Sequence, residues 1–378
     1  MHIGLNLIFL VPGETGGMEV GARETIPALV AAAPPQTRFT AFVSRDAGSG
    51  AWGEIVDKIE VPVRASKRVD WVRGEQILLP RMAQAAGVDL LHSLGSTSPA
   101  WGRFARVTTV HDLIYRILPE AHGGVRALGM RVLVPLAVRR SDRIVAVSEN
   151  TKRDLVSMLG VSPERVDVVY PGYGARSGVT ALDERDLRRR LDLGDRPVLL
   201  SLSAKRRHKN LEPLLDALAE LESRPILVMA GYQTDHELEL RARAEALGIA
   251  PDVRWPGWLS DEEVEGLWAI TVGFIFPSLY EGFGAPPLEA MARGVAVACS
   301  NTGATPEIAG DAALLFDPRD PRSVAIALRR LLAGGADIER RKLAGIARAA
   351  EFSWDRTARG LLAVYEQALA GRRDAGGV

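Results

Sequence analysis

Two carboxylates and two glycines in the second half of the chain form the segment with the clearest chemical potential. Glu281 and Glu289 are separated by seven residues, and Gly282 and Gly284 lie between them. The segment follows a predicted strand. The two prolines after Gly284 predict that a helix begins there, because proline suits the first helical turn. A strand, a glycine-bearing turn and a helix N-terminus together favour an anion-binding site.

The two glutamates restrict the kind of anion that this segment could bind. Carboxylates beside a phosphate site would repel the phosphate unless they face other groups, and hydroxyls are their natural partners as hydrogen-bond donors. A ligand with a pyrophosphate centre and a hydroxylated ring at each end fits this arrangement, and a nucleotide-sugar has that form. The alternative is that one glutamate caps the helix and the other lies on the surface.

A basic cluster follows the first predicted strand of the second half. Its members are Lys205, Arg206, Arg207, His208 and Lys209, with Asn210 directly after them. Because the cluster lies between a strand and a predicted helix, its positive side chains can neutralise a diphosphate leaving group. A solvated basic loop is the alternative interpretation.

Two features of the first half also lie at predicted strand ends. Gly16 and Gly17 separate the first strand from the first helix, where glycine lets the backbone approach a ligand. Their spacing lacks the full dinucleotide-binding pattern. His111 and Asp112 end a predicted strand, and a lone histidine in such a place is usually structural.

The elements that must position these residues alternate between short apolar runs and longer helical stretches. The predicted strands of the first half are residues 3–10, 38–43, 90–93, 107–112, 143–148 and 166–170. Those of the second half are residues 198–203, 226–230, 253–256, 273–277, 295–300 and 313–316. Runs so rich in Val, Ile and Leu are typical of strands covered on both faces. The alternation predicts an α/β fold with a doubly wound parallel sheet in each half.

A turn cluster at residues 171–174 predicts the boundary between two domains. The strand pattern restarts after this cluster, so we divide the chain into residues 1–172 and 173–355. A further helix is predicted at the C-terminus, over about residues 356–370. The 378 residues of the chain are consistent with two domains at ~150 residues per domain.

Composition excludes several classes of protein. Lys plus Arg and Asp plus Glu both number 47, so a nucleic-acid binder driven by overall basicity is not expected. The single cysteine, Cys299, allows neither an internal disulfide nor a cysteine-rich metal site. The sequence contains no run of 18 apolar residues, so no membrane-spanning helix is predicted. The apolar residues 2–11 lack a basic flank and a cleavage site, so we expect a cytoplasmic protein.

The spacing of Glu281 and Glu289 resembles the E-x7-E motif of the retaining glycosyltransferases of family 4. The flanking residues agree with the family pattern: Pro277-Ser278, Tyr280 to Gly284, Pro287 to Ala292, Gly294, Ser300-Asn301, Pro306-Glu307, Gly310 to Ala313 and Phe316 to Pro318. The resemblance implies the GT-B fold, in which two Rossmann-like domains face each other across a cleft. It also implies that the C-terminal helix crosses back to the first domain.

The resemblance assigns roles to residues of the second half. Glu281 would contact the donor sugar near the reacting carbon, and Glu289 would hold the nucleotide ribose. Backbone N–H groups at Phe283 and Gly284 would meet sugar or phosphate oxygens. Trp258 and Leu259 would belong to the loop whose backbone binds the nucleobase.

Lys209 matches the phosphate-binding lysine of the family. Many members place an arginine five residues before it, where this chain has Ala204. Arg206 or Arg207 could substitute, and the sequence does not choose between them.

The resemblance also assigns roles to the first half. Gly16 and Gly17 would reach the donor phosphate, and His111 would contact the donor sugar and organise the reaction centre.

The resemblance further implies transfer with retention at the anomeric carbon. No Asp-x-Asp occurs, and the histidines are not paired at ligand spacing, so we expect no metal or other cofactor. Lys209, arginines and helix N-termini would then meet the leaving-group charge. Retention could use double displacement through a carboxylate nucleophile, or front-face attack in which the departing phosphate takes the acceptor's proton.

Substrates and partners are less determined than the reaction class. The segment around Tyr280 resembles members that use GDP-mannose or a related hexose, ahead of activated rhamnose and UDP-sugars. The acceptor could be a lipid-linked glycan, a polysaccharide or a small molecule. A nucleotide-sugar epimerase and a non-catalytic nucleotide-sugar-binding module are alternatives, whereas an NAD-dependent oxidoreductase fits poorly.

A basic and apolar stretch at residues 64–81 has two interpretations. Its arginines and lysine surround Trp71 and precede an apolar run, which resembles an interfacial element that could touch anionic lipid at the inner face of the membrane. The alternative is one amphipathic helix with a solvated face.

Overall fold

The computed structural model describes residues 1–13, 16–47, 54–119, 124–173 and 179–375. The predicted turn residue Gly174 and the loop residues Glu14 and Thr15 lie outside these ranges. The chain divides into two compact units. The first unit is Met1–Gly172 together with Phe352–Val378, and the second is Tyr173–Glu351.

The first unit is built on a seven-stranded parallel sheet. Its strands are β1 (His2–Leu7), β2 (Arg38–Val43), β3 (Asp57–Glu60), β4 (Leu90–Ser93), β5 (Ala105–Val110), β6 (Arg143–Ala146) and β7 (Val166–Val168). They lie in the order β3-β2-β1-β4-β5-β6-β7. The central strands β1, β4 and β5 are buried along nearly their whole length, as expected for strands covered on both faces.

Six helices connect the strands of the first unit. They are α1 (Gly17–Ala32), α2 (Arg68–Arg73), α3 (Leu79–Ala85), α4 (Ile114–Ile117), α5 (Gly124–Arg140) and α6 (Glu149–Leu159). A π-helical turn, Gly74–Leu78, joins α2 to α3. The single amphipathic helix considered for residues 64–81 is therefore two short helices with a wider turn between them.

The second unit is built on a six-stranded parallel sheet. Its strands are β8 (Val198–Leu202), β9 (Ile226–Ala230), β10 (Val253–Gly257), β11 (Thr271–Phe276), β12 (Val297–Ser300) and β13 (Leu314–Phe316). They lie in the order β10-β9-β8-β11-β12-β13.

The helices of the second unit follow its strands. They are α7 (Glu184–Arg190), α8 (Glu212–Ala219), α9 (His236–Ala246), α10 (Asp261–Ile270), α11 (Ala285–Ala292), α12 (Thr305–Ala309), α13 (Pro321–Ala333) and α14 (Ala336–Ala349). The apolar core of this unit joins α8 and α13 to the sheet through leucines such as Leu215 and Leu328, both fully buried.

The last helix, α15 (Trp354–Ala375), belongs to the first unit. Its Tyr365 is fully buried, and the Tyr365 hydroxyl lies 2.7 Å from His92 Nδ1 on β4. The other ring nitrogen of His92 lies 2.8 Å from the Thr109 hydroxyl on β5. Burial lowers the pKa of His92 to about 3, so this buried bridge contains a neutral imidazole.

The two predicted doubly wound parallel sheets are confirmed. In each sheet the strand order reverses once, between β1 and β4 and between β8 and β11. Strand β3 was missed because its residues are mostly charged and exposed, as an edge strand tolerates. Within the described ranges, no helix is both long and apolar enough to cross a membrane.

Candidate functional site

The carboxyl ends of the strands in the second sheet carry most of the predicted binding residues. Trp258 follows β10, Lys209 follows β8 and Glu281 follows β11. Open α/β sheets bind ligands outside the carboxyl ends of their strands, at the point where the strand order reverses. Lys209 and Glu281 come from the two strands that flank this switch point.

Lys209 and Glu281 are in direct contact. Lys209 Nζ lies 2.5 Å from Glu281 Oε1, and the Ser278 hydroxyl donates to the same oxygen over 2.5 Å. Both charged side chains are only 16% exposed. The ammonium also lies 5.3 Å from the centre of the Phe276 ring. The sequence predicted both residues as separate ligand contacts, but it did not predict their ion pair.

Asn210 holds in place the backbone turn that carries Lys209. A short 3-10 turn, Arg207–Lys209, ends at Asn210, whose φ is 55°. Asparagine tolerates this left-handed conformation better than most residues. The Asn210 side-chain amide donates to the carbonyls of Pro277 (3.2 Å) and Pro318 (2.6 Å). Asn210 thereby fixes the turn that carries Lys209 against the residues that follow β11 and β13.

The backbone of Glu281 is held from two sides. Leu279 N–H donates to the His208 carbonyl (2.8 Å), and Ala304 N–H donates to the Glu281 carbonyl (3.0 Å). Gly303 packs directly against Glu281, since a Cβ added to this glycine would lie 2.9 Å from the Glu281 backbone nitrogen and oxygen. Its φ of 62° also favours glycine. The loop after β12 therefore positions Glu281 through its main chain.

Helix α11 begins where its prolines predicted. Gly284 precedes the helix with a φ of 92°, and the two prolines of the first turn lack an N–H group. The Thr305 hydroxyl is buried and has no hydrogen-bond partner among the described residues. It lies 3.7 Å from the place that a Cβ on Gly284 would occupy. Sequence reasoning missed Thr305 because a threonine at a helix start is a common capping pattern.

Glu289 lies half-buried on α11, one turn before Arg293. Arg293 Nη1 donates to the Glu289 carbonyl (3.0 Å), and Arg293 Nε donates to Glu265 Oε2 (2.8 Å). The guanidinium also donates to the Tyr173 hydroxyl. Fixed polar groups thus surround the C-terminal end of α11. The ribose contact of Glu289 stays a prediction.

The side chains of the basic cluster lie in different environments. Lys205 is buried, its ammonium donates to the Gly231 carbonyl (3.0 Å), and burial lowers its pKa to about 8. Arg207 Nη2 donates to both carboxylate oxygens of Glu239, at 2.6 and 2.8 Å. The Arg206 side chain is exposed. Of these cations, the structure brings only Lys209 into contact with Glu281.

Two aromatic rings lie at the far end of the same sheet edge. Trp258, after β10, is 68% exposed, and its ring centre lies 4.5 Å from that of Tyr232, after β9. Leu259 is buried beside them in the chain. This exposed pair, whose ring planes are inclined by 37°, provides an apolar surface at the position predicted to bind the nucleobase. Tyr232 was not predicted.

The predicted residues of the first unit lie at the carboxyl ends of its own strands. Gly16 has a φ of 60° and precedes α1, whose first residue is Gly17. His111 follows β5 rather than ending it, and its Nε2 lies 2.7 Å from the Leu94 carbonyl. Burial lowers the pKa of His111 below 6.5. The imidazole is therefore fixed by a backbone carbonyl and is mainly neutral near pH 7.

The described residues contain no group of three or more His, Cys, Asp or Glu side chains placed to hold a metal ion.

Two protein-family models match the chain. The model described as "Glycosyl transferases group 1" matches residues 183–349, within the second unit. The model described as "Glycosyltransferase Family 4" matches residues 15–174, almost all of them in the first unit.

Curated relatives of the chain include proteins named as glycosyltransferases and mannosyltransferases. A D-inositol 3-phosphate glycosyltransferase of Acidothermus cellulolyticus is 33% identical over 90% of this chain and 80% of that protein. The serotype-specific mannosyltransferase WbdA of Escherichia coli is 31% identical over 67% of this chain. This match spans only 32% of WbdA, a much longer protein.

Solved structures share the fold at low sequence identity. The sucrose-phosphate synthase of Thermosynechococcus elongatus superposes with a TM-score of 0.79 over 98% of this chain and 100% of that chain, at 19% identity. The chain therefore has the GT-B fold.

The close contact between Gly303 and Glu281 predicts a specific sensitivity. We expect Gly303→Ala to lower the free energy of unfolding by about 1–3 kcal/mol more than Gly160→Ala, because only the first substitution combines backbone strain with a clash. Gly160 has a similar φ of 64°, but a Cβ there would meet nothing within 4 Å. Urea unfolding of both variants measures the difference, and equal losses would show that Gly303 does not support Glu281.

Proposed function

The chain belongs to glycosyltransferase family 4, and from that premise we propose that it transfers a hexose from a nucleoside-diphosphate sugar with retention at the anomeric carbon and without a metal ion. The observation that carries this proposal is the order of groups along the carboxyl edge of the second sheet. The exposed aromatic pair follows β10 and β9, Lys209 follows β8, and Glu281 follows β11. A nucleotide-sugar presents its base, its diphosphate and its hexose in the same order.

Each end of this edge offers a suitable interaction for the donor. Trp258 and Tyr232 can stack on a nucleobase, which is favourable for any base because every base has a π-face. Lys209 can neutralise the diphosphate as negative charge develops on it. Glu281 can accept hydrogen bonds from sugar hydroxyls. Glu289, Phe283, Gly284 and Leu259 complete the proposed donor site.

The proposed donor competes with Glu281 for the Lys209 ammonium. When a diphosphate approaches Lys209, the ammonium gains a second anionic partner, and the Glu281 carboxylate becomes available to sugar hydroxyls. The bond between C1 and the phosphate oxygen then breaks while the acceptor oxygen bonds to C1 on the same face. The acceptor's proton passes to the departing phosphate. A covalent glycosyl-enzyme would instead identify double displacement.

The first unit supplies the acceptor side in this proposal. His111 would contact the transferred sugar, and Gly16 and Gly17 would approach the donor phosphate.

We favour mannose from GDP-mannose as the donor, since WbdA is named as a mannosyltransferase. A glycan or lipid-linked molecule is the proposed acceptor. No nucleic acid is involved.

Peripheral contact with the inner face of the cytoplasmic membrane is part of the same proposal. Residues 64–81 place Val69, which is 86% exposed, next to Arg68 on α2. Ile77 on the π-helical turn is 44% exposed, near the exposed Arg73 and Arg81. Exposed apolar side chains among cations fit an anionic lipid surface.

A donor panel tests the proposed reaction. Slow hydrolysis without acceptor, in EDTA, should release a nucleoside diphosphate and free sugar from one nucleotide-sugar. Loss of all turnover in EDTA, with recovery on adding Mg²⁺, would contradict metal independence. Release of an epimerised sugar would instead identify an epimerase.

Glu281→Gln keeps the size of the side chain but removes its charge. We expect its transfer rate to fall by roughly 10²-fold or more, the range seen when a group that stabilises the transition state is removed. Glu239→Gln is the matched control, because Glu239 also pairs with a cation of the same loop but is exposed. Transfer by Glu281→Gln at the rate of this control would contradict the role of Glu281.

Co-sedimentation with vesicles of anionic lipid tests the membrane contact. We expect the double variant Arg68→Ala and Val69→Ala to lower the bound fraction at low salt, since it removes a charge and an apolar contact. Val132→Ala, at a residue 61% exposed on α5, is the control. If the wild-type protein does not sediment with these vesicles, the membrane contact is wrong.

A further inference from the structure

A buried carboxylate in the first unit takes no part in the donor chemistry described above. Glu75 lies on the π-helical turn Gly74–Leu78 and is only 1% exposed. Such turns are rare and frequently occur at functional sites. Pro80 explains the local distortion, because proline lacks an N–H and its ring clashes with the carbonyl four residues earlier, that of Gln76.

Three side chains donate hydrogen bonds to Glu75. Thr97 Oγ1 (2.8 Å) and Asn6 Nδ2 (3.2 Å) donate to Oε1, and Gln76 Nε2 (3.1 Å) donates to Oε2. Asn6 belongs to β1 and also donates to the Ser93 hydroxyl on β4 (3.0 Å). Glu75 therefore lies at the switch point of the first sheet, between the two strands where ligands of α/β sheets bind.

No charged side chain faces this carboxyl in the part of the chain that the structure describes. The groups that surround it are Asn6 from β1, Thr97 from the residues after β4 and Gln76 from its own turn, and all three are uncharged. Burial raises the pKa of Glu75 to about 7, and the three donors only partly oppose this effect. The carboxyl thus changes its charge near neutral pH.

Gln76 extends the contact to the segment that follows β4, residues 94–101, which we call the β4 loop. The Gln76 side-chain amide donates to the Ser98 carbonyl (3.0 Å) and accepts from Ala100 N–H (3.1 Å). The Gln76 backbone carbonyl accepts from the Trp101 indole (2.7 Å). This carbonyl is available because Pro80 has no N–H to offer it.

The other end of the β4 loop holds His111. The Leu94 carbonyl lies 2.7 Å from His111 Nε2, and the Ser96 hydroxyl accepts from His111 N–H (3.3 Å). The β4 loop is largely buried although it lies at the carboxyl edge of a sheet. One end of the loop is thus fixed by Glu75 and Gln76, and the other end orients the imidazole.

We propose that Glu75 and Gln76 are positioning residues that set the β4 loop and, through it, the orientation of the His111 ring. The inference rests on the proposed function only in so far as His111 acts in transfer. Both oxygens of Glu75 accept hydrogen bonds, and a proton on either oxygen weakens these bonds because it removes the negative charge that strengthens them. The Gln76 amide cannot turn to accept that proton without giving up its bond from Ala100 N–H.

Protonation of Glu75 therefore loosens the β4 loop, and the transfer rate depends on pH in a defined direction. In the wild-type protein, kcat falls as pH is lowered through about 7, where this carboxyl gains its proton. The KM for the donor changes less than kcat, because the contacts of Lys209 and Glu281 with the donor do not depend on the β4 loop.

The test compares Glu75→Gln with the wild-type protein between pH 6 and pH 8. The carboxamide of the variant carries no negative charge at any pH, as the protonated carboxyl does not, and it puts an N–H₂ group against one of the three donors. We expect kcat at pH 8 to fall roughly tenfold or more, the effect of losing one hydrogen bond to a charged group, and its dependence on pH near 7 to disappear. A variant with wild-type kcat and an unchanged pH profile would overturn the inference.

A second variant and a control protect the test against general loss of stability. Thr97→Val removes one donor to the carboxylate, which raises the pKa of Glu75 further and moves the acid limb of kcat to higher pH. Ser141→Ala is the control, because it removes a buried hydrogen bond just before β6, at the end of the same sheet where the strands begin. It should leave the pH profile unchanged.

A measurement on the His111 ring separates this inference from the proposed function. In ¹⁵N NMR spectra, the ring signals of the wild-type protein should shift with a midpoint near pH 7, and the shift should vanish in Glu75→Gln. Burial lowers the pKa of His111, and titration of the ring itself would persist in Glu75→Gln, so the variant distinguishes the two origins of the shift. A shift that persists in Glu75→Gln would overturn the coupling. A wild-type protein without any transfer would overturn the proposed function alone.

Discussion

The ion pair between Lys209 and Glu281 is the interaction around which the functional edge of the second unit is arranged. Two opposite charges at 16% exposure attract each other strongly, but each must be supported because desolvation is costly. The Ser278 hydroxyl and the Phe276 ring provide that support directly. Asn210 and Gly303 provide it through the backbone, by fixing the turn before Lys209 and the main chain of Glu281. The pair holds in place two groups that a diphosphate and a sugar would each engage separately.

The same topological constraint operates in both units. A parallel sheet whose strand order reverses leaves a crevice between two strands, and the loops that leave those strands diverge around it. In the second unit the crevice between β8 and β11 is flanked by Lys209 and Glu281. In the first unit the crevice between β1 and β4 is flanked by Asn6 on β1 and Thr97 after β4, which both donate to Glu75. One crevice therefore contains a compensated charge pair, and the other a single carboxyl that can change its charge near pH 7.

The sequence predicts the architecture well because its strands are continuous apolar runs, and only β3, charged and exposed, escapes that signal. It also predicts the start of α11, since two prolines and a preceding glycine restrict the backbone locally. It does not predict which charges meet. Lys205 and Lys209 look alike in the sequence, but one is buried against the Gly231 carbonyl and the other contacts Glu281. Glu75 was missed for the same reason, because its environment is created by residues far away in the chain.

The most direct test of this account is a calorimetric titration of GDP and UDP into the wild-type protein and Glu281→Gln. These nucleotides carry a diphosphate but no hexose, so Glu281 can act on them only by competing for the Lys209 ammonium. The account predicts that Glu281→Gln binds the preferred nucleotide more tightly than the wild-type protein, although the variant transfers poorly. Weaker or unchanged binding by the variant, or no binding of either nucleotide to the wild-type protein, would contradict the central role of the ion pair.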